Sequence, residues 1–195
     1  RPGLRDRHRR RETGTLMAWY WFLAALVVLL ALALWLSWTA HRLDRMHHRL
    51  AVARGSLDTQ LLHRSGTALE LATSGALDPA RSLLLVDVAH QARSATPEDK
   101  ESAESDLSEA LRAVFADPDE VARLRESPDV GPLLRELAGD CRKVELARRF
   151  HNDLVSSARM LRSRRRVRWL HLAGRAPGPV SVDLDDQAPP ALAAE

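Results

Sequence analysis

The chain has 195 residues, a net charge of +3 and few aromatic strand formers, with one Tyr and three Phe. Leu, Ala, Arg and Glu dominate, which favours helices over sheet. Nearly all of the 29 basic residues are Arg, Lys100 and Lys143 being the lysines, so arginine richness alone does not mark a nucleic-acid binder. The single cysteine, Cys141, excludes an intrachain disulfide framework.

Residues 1–16 form a basic N-terminal segment containing Arg1, Arg5, Arg7, Arg9, Arg10 and Arg11. From Thr13 to Ala40 there is no Asp, Glu, Lys or Arg. The centre, Leu23 to Leu36, is almost entirely Leu, Ala and Val. A bilayer span takes roughly 20 apolar residues, so residues 17–40 are expected to form a transmembrane helix. Trp19, Tyr20 and Trp21 at one end, with Trp35 and Trp38 at the other, suit the two headgroup belts. The rival reading is a secretory signal, but Ser37-Trp38-Thr39-Ala40 is a poor cleavage site.

Two starts are open, and they set opposite orientations. With residues 1–16 translated, the basic flank holds the N-terminus in the cytoplasm and places the following domain outside. With Met17 as the start, Arg42, Arg45, Arg49 and Arg54 are the basic flank and hold that domain inside. The expectation is a single-pass protein of a bacterial inner membrane, leaning to a cytoplasmic domain.

Residues 41–170 read as that domain. Leu43, Met46, Leu50, Ala53, Leu57, Leu61, Ala68 and Leu71 recur at three- and four-residue steps, the apolar stripe of a helix. Asp78-Pro79 is a helix start, leading into Leu83, Leu84, Val86, Val88 and Ala92. Thr96-Pro97-Glu98-Asp99 is a second start, leading into Leu107, Leu111, Val114 and Phe115. Asp117-Pro118 and Pro128 to Pro132 punctuate the chain before a last long helix to Arg166. Its stripe is Leu133, Leu137, Cys141, Val144, Ala147, Phe150, Leu154, Ala158 and Leu161. The fold expected is all-α: one N-terminal transmembrane helix continuing into an antiparallel four-helix bundle. Residues 171–195, rich in Pro, Gly and acids, read as a flexible tail.

Two stretches resemble the LemA family of bacterial membrane proteins: Leu57-Asp58-Thr59-Gln60-Leu61 followed by Arg64, and Ala147 to Val155 with Arg148-Arg149-Phe150-His151-Asn152 at its heart. Asp106 to Leu111 is similar to the family's internal Leu-Ser-x-Ala-Leu element. The resemblance covers about residues 17–166 and implies an anchored four-helix bundle, usually cytoplasmic. It implies no activity and no catalytic residue. The family's Pro-Asn-Leu-Val is Leu69-Glu70-Leu71-Ala72 here, a departure that points to a divergent subgroup.

Candidate surfaces follow from charge and spacing. Between Leu154 and Val182 the chain carries Arg159, Arg162, Arg164, Arg165, Arg166, Arg168 and Arg175 with no acid. With Trp169 beside them, these suit an anionic lipid surface or a protein partner. Nucleic acid is not expected, since no groove-reading motif accompanies the run. The bland reading pairs the run with the acids of residues 98–109 or with Asp183, Asp185 and Asp186. Arg148, Arg149, His151 and Asn152 could form an anion site, or Asn152 could bond across the bundle to Gln60 or Asp58. Asp58, Gln60, Arg64, Arg148 and Asn152 are therefore expected to make polar contacts between helices. No catalytic constellation, metal spacing or cofactor motif is present. The functional expectation is a non-enzymatic scaffold at the membrane with a protein partner, a homo-oligomer being open, and a lipid-sensing module as the alternative.

Overall fold

The computed structural model describes the backbone of residues 5–163 and 178–193, with side chains placed for 19–35, 37–38, 41, 45–160, 163 and 178–192. Among these residues there are six helices and no strand: α1 (Arg5–Thr73), α2 (Pro79–Ser94), α3 (Lys100–Val114), α4 (Pro118–Glu126), α5 (Gly131–Ser163) and α6 (Pro190–Ala193). The protein is all-α, as composition and periodicity indicate.

Helix α1 runs unbroken for 69 residues, about 100 Å at 1.5 Å per residue. It joins the apolar stretch to the bundle as one rod, because no Pro interrupts it. It ends where Gly75 takes a φ of 78°, a left-handed conformation that L side chains adopt only at a cost. Among the described residues no helix is long and apolar enough to cross a membrane. Described side chains in the apolar stretch run without a break only from Trp19 to Trp35, about 25 Å of helix.

The short connections follow local chemistry. Asp78 caps α2 by accepting from the main-chain N–H groups of Ala80 (3.0 Å) and Arg81 (3.1 Å), with Pro79 in the first turn. The start of α3 lies at Lys100, later than Thr96-Pro97 suggests. The Asp99 carboxylate makes no cap bond and instead accepts from the Thr96 hydroxyl at 2.8 Å. Asp117-Pro118 opens the nine-residue helix α4, which the sequence reading left as punctuation; Asp117 accepts from Asp119 N at 3.0 Å. Chain close-approach fixes the start of α5, where a Cβ on Gly131 would strike the Arg125 backbone.

Helix α1 packs on α2 and α5, and α2 packs on α3. α1 and α5 are antiparallel, since Thr67 meets Asp140 while Leu57 and Leu61 meet Val144. The buried stripe of α1 is Ala53, Leu57, Leu61, Ala68 and Leu71, in register with the sequence pattern. In α3, Leu107, Leu111, Val114 and Phe115 are all buried. Two stripes shift. In α2 the buried residues are Leu85, Ala89 and Ala92, while Leu83 and Leu84 face outward. In α5, Phe150 is 60% exposed and Val155 is buried in its place.

The larger departure is the C-terminus. Far from being a flexible tail, residues 178–193 run along the bundle and bury Val182, Leu184 and Leu192. Val182 and Leu184 complete a core cluster with Leu57, Leu61 and Val144. Composition misleads here because the apolar residues are few and spaced by acids, two of which, Asp185 and Asp186, find an Arg partner on the bundle.

Candidate functional site

The seam between α3 and α5 is where the chain concentrates its polar chemistry. Three sides of the bundle are closed by helix packing; the C-terminal segment closes this one. It runs parallel to α3 and antiparallel to α5. Its Asp183 and Asp185 meet Glu101, Ser105 and Arg112 in turn, while Pro179, Val182 and Asp186 meet Arg159, Asn152 and Arg148.

At the base of the seam lies Arg64, only 1% exposed. Its Nη2 donates to Glu104 Oε2 at 2.7 Å and to the Glu104 main-chain oxygen at 3.0 Å. Its Nη1 donates to Ser108 Oγ at 2.8 Å. The Ser108 hydroxyl in turn reaches the main-chain oxygen of Asp185 at 2.7 Å. A buried ion pair between α1 and α3 is thus wired directly to the C-terminal segment. Burial pushes the Glu104 carboxyl above its ordinary range, and the attraction of Arg64 offsets this only in part. Arg64 Nε, also buried, has no hydrogen-bond partner. Beside this pair, the Thr67 hydroxyl meets Asp140 at 2.9 Å, and Asp140 accepts from Lys143 at 2.9 Å.

The C-terminal segment is held chiefly through its backbone. Asn152 grips Val182 twice, donating from Nδ2 to its oxygen and accepting from its N–H, both at 2.9 Å. Asp183 N–H donates to Glu101 Oε2 at 2.9 Å, and Asp185 N–H donates to Ser105 Oγ at 3.0 Å. His151 Nε2 lies 3.2 Å from the Val180 oxygen. Arg125 Nη2 donates to the oxygens of Ala191 and Leu192, each at 3.0 Å. Two contacts read side chains. Arg148 forms a fork on Asp186, with Nε–Oδ2 at 2.6 Å and Nη2–Oδ1 at 2.9 Å. Arg112 Nη2 meets Asp185 Oδ2 at 2.5 Å. The Arg112 hydrogen bond holds the Asp185 carboxyl below its usual range, and the Asp186 bond raises the Arg148 guanidinium. A cavity of about 160 Å³ near the far end is lined by Arg125, Leu134, Arg135, Ala138, Arg142 and Leu192.

The expected inter-helix residues distribute unevenly. Arg64 does bridge helices, and Asp58 does so through Lys100 of α3 at 3.0 Å, not through Asn152. Arg148 and Asn152 bind the C-terminal segment instead of a facing helix. Gln60 is half-buried on α1 and takes no part. An anion site at residues 148–152 is not assembled, because Arg149 pairs with Glu145 within α5 and the other three serve the segment. Of the Arg run, Arg159 is exposed with Nε donating to the Pro179 oxygen at 3.1 Å. Arg162 lies on α5 with its side chain outside the described set, and Arg164, Arg165, Arg166, Arg168 and Trp169 lie outside the described residues. Sequence reasoning missed Glu104, Ser108, Arg112 and the docked segment. The signal available was the alternation Val180-x-Val182-x-Leu184 with Asp185-Asp186 behind it. Among the described residues no group of His, Cys, Asp and Glu could hold a metal ion. Cys141 is buried, and burial raises its thiol.

Arg64→Ala leaves Glu104 buried without its partner, and the expected loss is about 3–5 kcal/mol in urea unfolding. The paired replacement Arg64→Met with Glu104→Leu is expected to recover most of it, because it removes both charges together. A loss below about 1 kcal/mol for Arg64→Ala would show that the pair is not sealed from water.

Comparison with protein-family models, with curated proteins and with solved structures returned no match for this chain.

Proposed function

We propose that the protein is a non-enzymatic scaffold anchored in a bacterial inner membrane, with α1 crossing the bilayer through residues 17–40 and the bundle held on one side, leaning to the cytoplasm, to engage a protein partner. The observation that carries the reading is the surface of α1. Trp19, Trp21, Phe22, Leu26, Val28 and Leu32 are all exposed, with exposures between 45% and 74%. A helix apolar on every face is at home in a protein core or in lipid, and among the described residues these side chains stand open. Each Leu or Val left in water forgoes about 2 kcal/mol of transfer free energy. The aromatic residues at both ends, the uncharged stretch Thr13–Ala40 and the resemblance to the LemA family agree with an anchor.

Expressed in bacteria, the full chain is expected to stay in the membrane pellet through alkaline carbonate and to leave it only with detergent. Replacing Leu29 and Leu30 by Arg and Asp is expected to shift it to the soluble fraction. Recovery of the unaltered chain in the carbonate supernatant would overturn the anchor. A Ser102→Cys, Cys141→Ala chain reports the side: an impermeant maleimide labels it in intact cells only when the bundle is outside.

A second reading, contact of the Arg run with anionic lipid, is favoured by helix register. Thr67 lies opposite Asp140, so the antiparallel α5 reaches Ser163 roughly level with Asp44, just past the apolar stretch. The described end of α5, with Arg159 on it, thus lies at the level proposed for the headgroups, and the Arg run follows it in the chain; near headgroups each basic residue contributes about 1 kcal/mol. Detergent-solubilised protein is expected to bind phosphatidylserine vesicles in a salt-sensitive manner, at least tenfold more weakly after Arg164, Arg165 and Arg166 become Gln. Equal binding by the two proteins would exclude the lipid role.

A further inference from the structure

The segment that closes the α3–α5 seam is bound as a ligand is bound. It is extended, it places Val182 and Leu184 inward at every second residue, and it is gripped mainly by side chains that address its backbone. Such contacts accept any extended chain, as in strand-like peptide recognition where pockets for alternate side chains add specificity. Specificity here comes from the Arg112–Asp185 and Arg148–Asp186 pairs. The fork on Asp186 is the stronger kind of charged hydrogen bond, and Asp186 itself is only 8% exposed.

One position of the segment fits poorly: Val180 is 73% exposed although apolar.

We infer that the α3–α5 seam is a peptide-recognition groove for an extended acidic segment of a partner protein, of the pattern apolar-x-apolar-Asp-Asp, with the chain's own residues 178–193 as a displaceable occupant. Charge complementarity at Arg112 and Arg148 selects the acid pair, and the Asn152 clamp sets the register. Belonging to the same chain, the internal segment has a high effective concentration, so a partner must bind better than the tail to enter. The tail therefore sets a threshold for recruitment. The inference rests on the scaffold reading but is separable from it: carbonate extraction decides the anchor, and the titration below decides the groove.

The test uses the full chain in detergent and a fluorescent peptide of residues 178–193. In a chain with Asp185→Asn and Asp186→Asn the internal segment is loosened while the groove is intact. Anisotropy is expected to show saturable binding at least tenfold tighter to this chain than to the unaltered one, and a further loss of about tenfold when Arg148→Gln is added. If the double variant loses its helical circular dichroism, Asp185→Asn alone carries the same titration. Absence of saturable binding to a loosened chain that keeps its helical signal would overturn the groove, as would binding indifferent to Arg148→Gln. Self-association of the loosened chain that excess peptide does not dissolve would make a second copy the occupant, and would overturn the partner assignment.

Discussion

A guanidinium enclosed among helices needs its charge and most of its N–H groups met on the spot, because it is shielded from water; for Arg64 only Nε goes without a partner. Arg64 sets that condition for this bundle. Glu104 meets its charge, Ser108 takes a second N–H, and Ser108 then reaches the main chain of Asp185. The pair therefore fixes α1 against α3 in one register, as buried polar contacts do in some bundles at a cost in stability. It also provides a polar floor on which the C-terminal segment sits. The cost is visible in Glu104, whose burial outweighs the help it receives from Arg64.

From that floor the rest of the architecture follows. The cluster around Leu57, Leu61 and Val144 is completed by Val182 and Leu184 of the C-terminal segment. The C-terminal segment supplies what a closer helix–helix contact would supply elsewhere. The other cluster, from Ala68 and Leu71 to Leu137 and Cys141, draws on all six helices, Leu192 of α6 among them. One end of the bundle is thus closed by helices and the end toward the apolar stretch of α1 by an extended segment. Function, on the reading proposed here, uses that second closure.

Much of the helical layout was legible in the sequence, because three- and four-residue apolar spacing and Asp-Pro starts act locally. The stripe of α3, and that of α1 from Ala53 to Leu71, could be read from the sequence, while Met46 and Leu50 of the α1 stripe are only half-buried. α2 could not: Leu83, Leu84, Leu85 and Val86 are consecutive, so periodicity does not choose which faces the core. α4 was hidden by its length, too short for a stripe. Arg64 was legible as a polar contact, yet its partner was not, since nothing local ties residue 64 to residue 104. The C-terminal segment was the main loss. Its Pro and acids look unstructured by composition, and only the bundle's Asn152, Arg112 and Arg148 give those acids and amides a reason to be ordered.

The most direct measurement is backbone hydrogen exchange on the full chain at the N–H groups of Val182 and Asp185, which Asn152 and Ser105 hold. If the segment is part of the fold, both exchange orders of magnitude more slowly than a free peptide of the same sequence, and Asn152→Ala releases Val182 first. Exchange of both at free-peptide rates, with the helices protected, would contradict the account: the seam would then be open and its polar floor exposed to water.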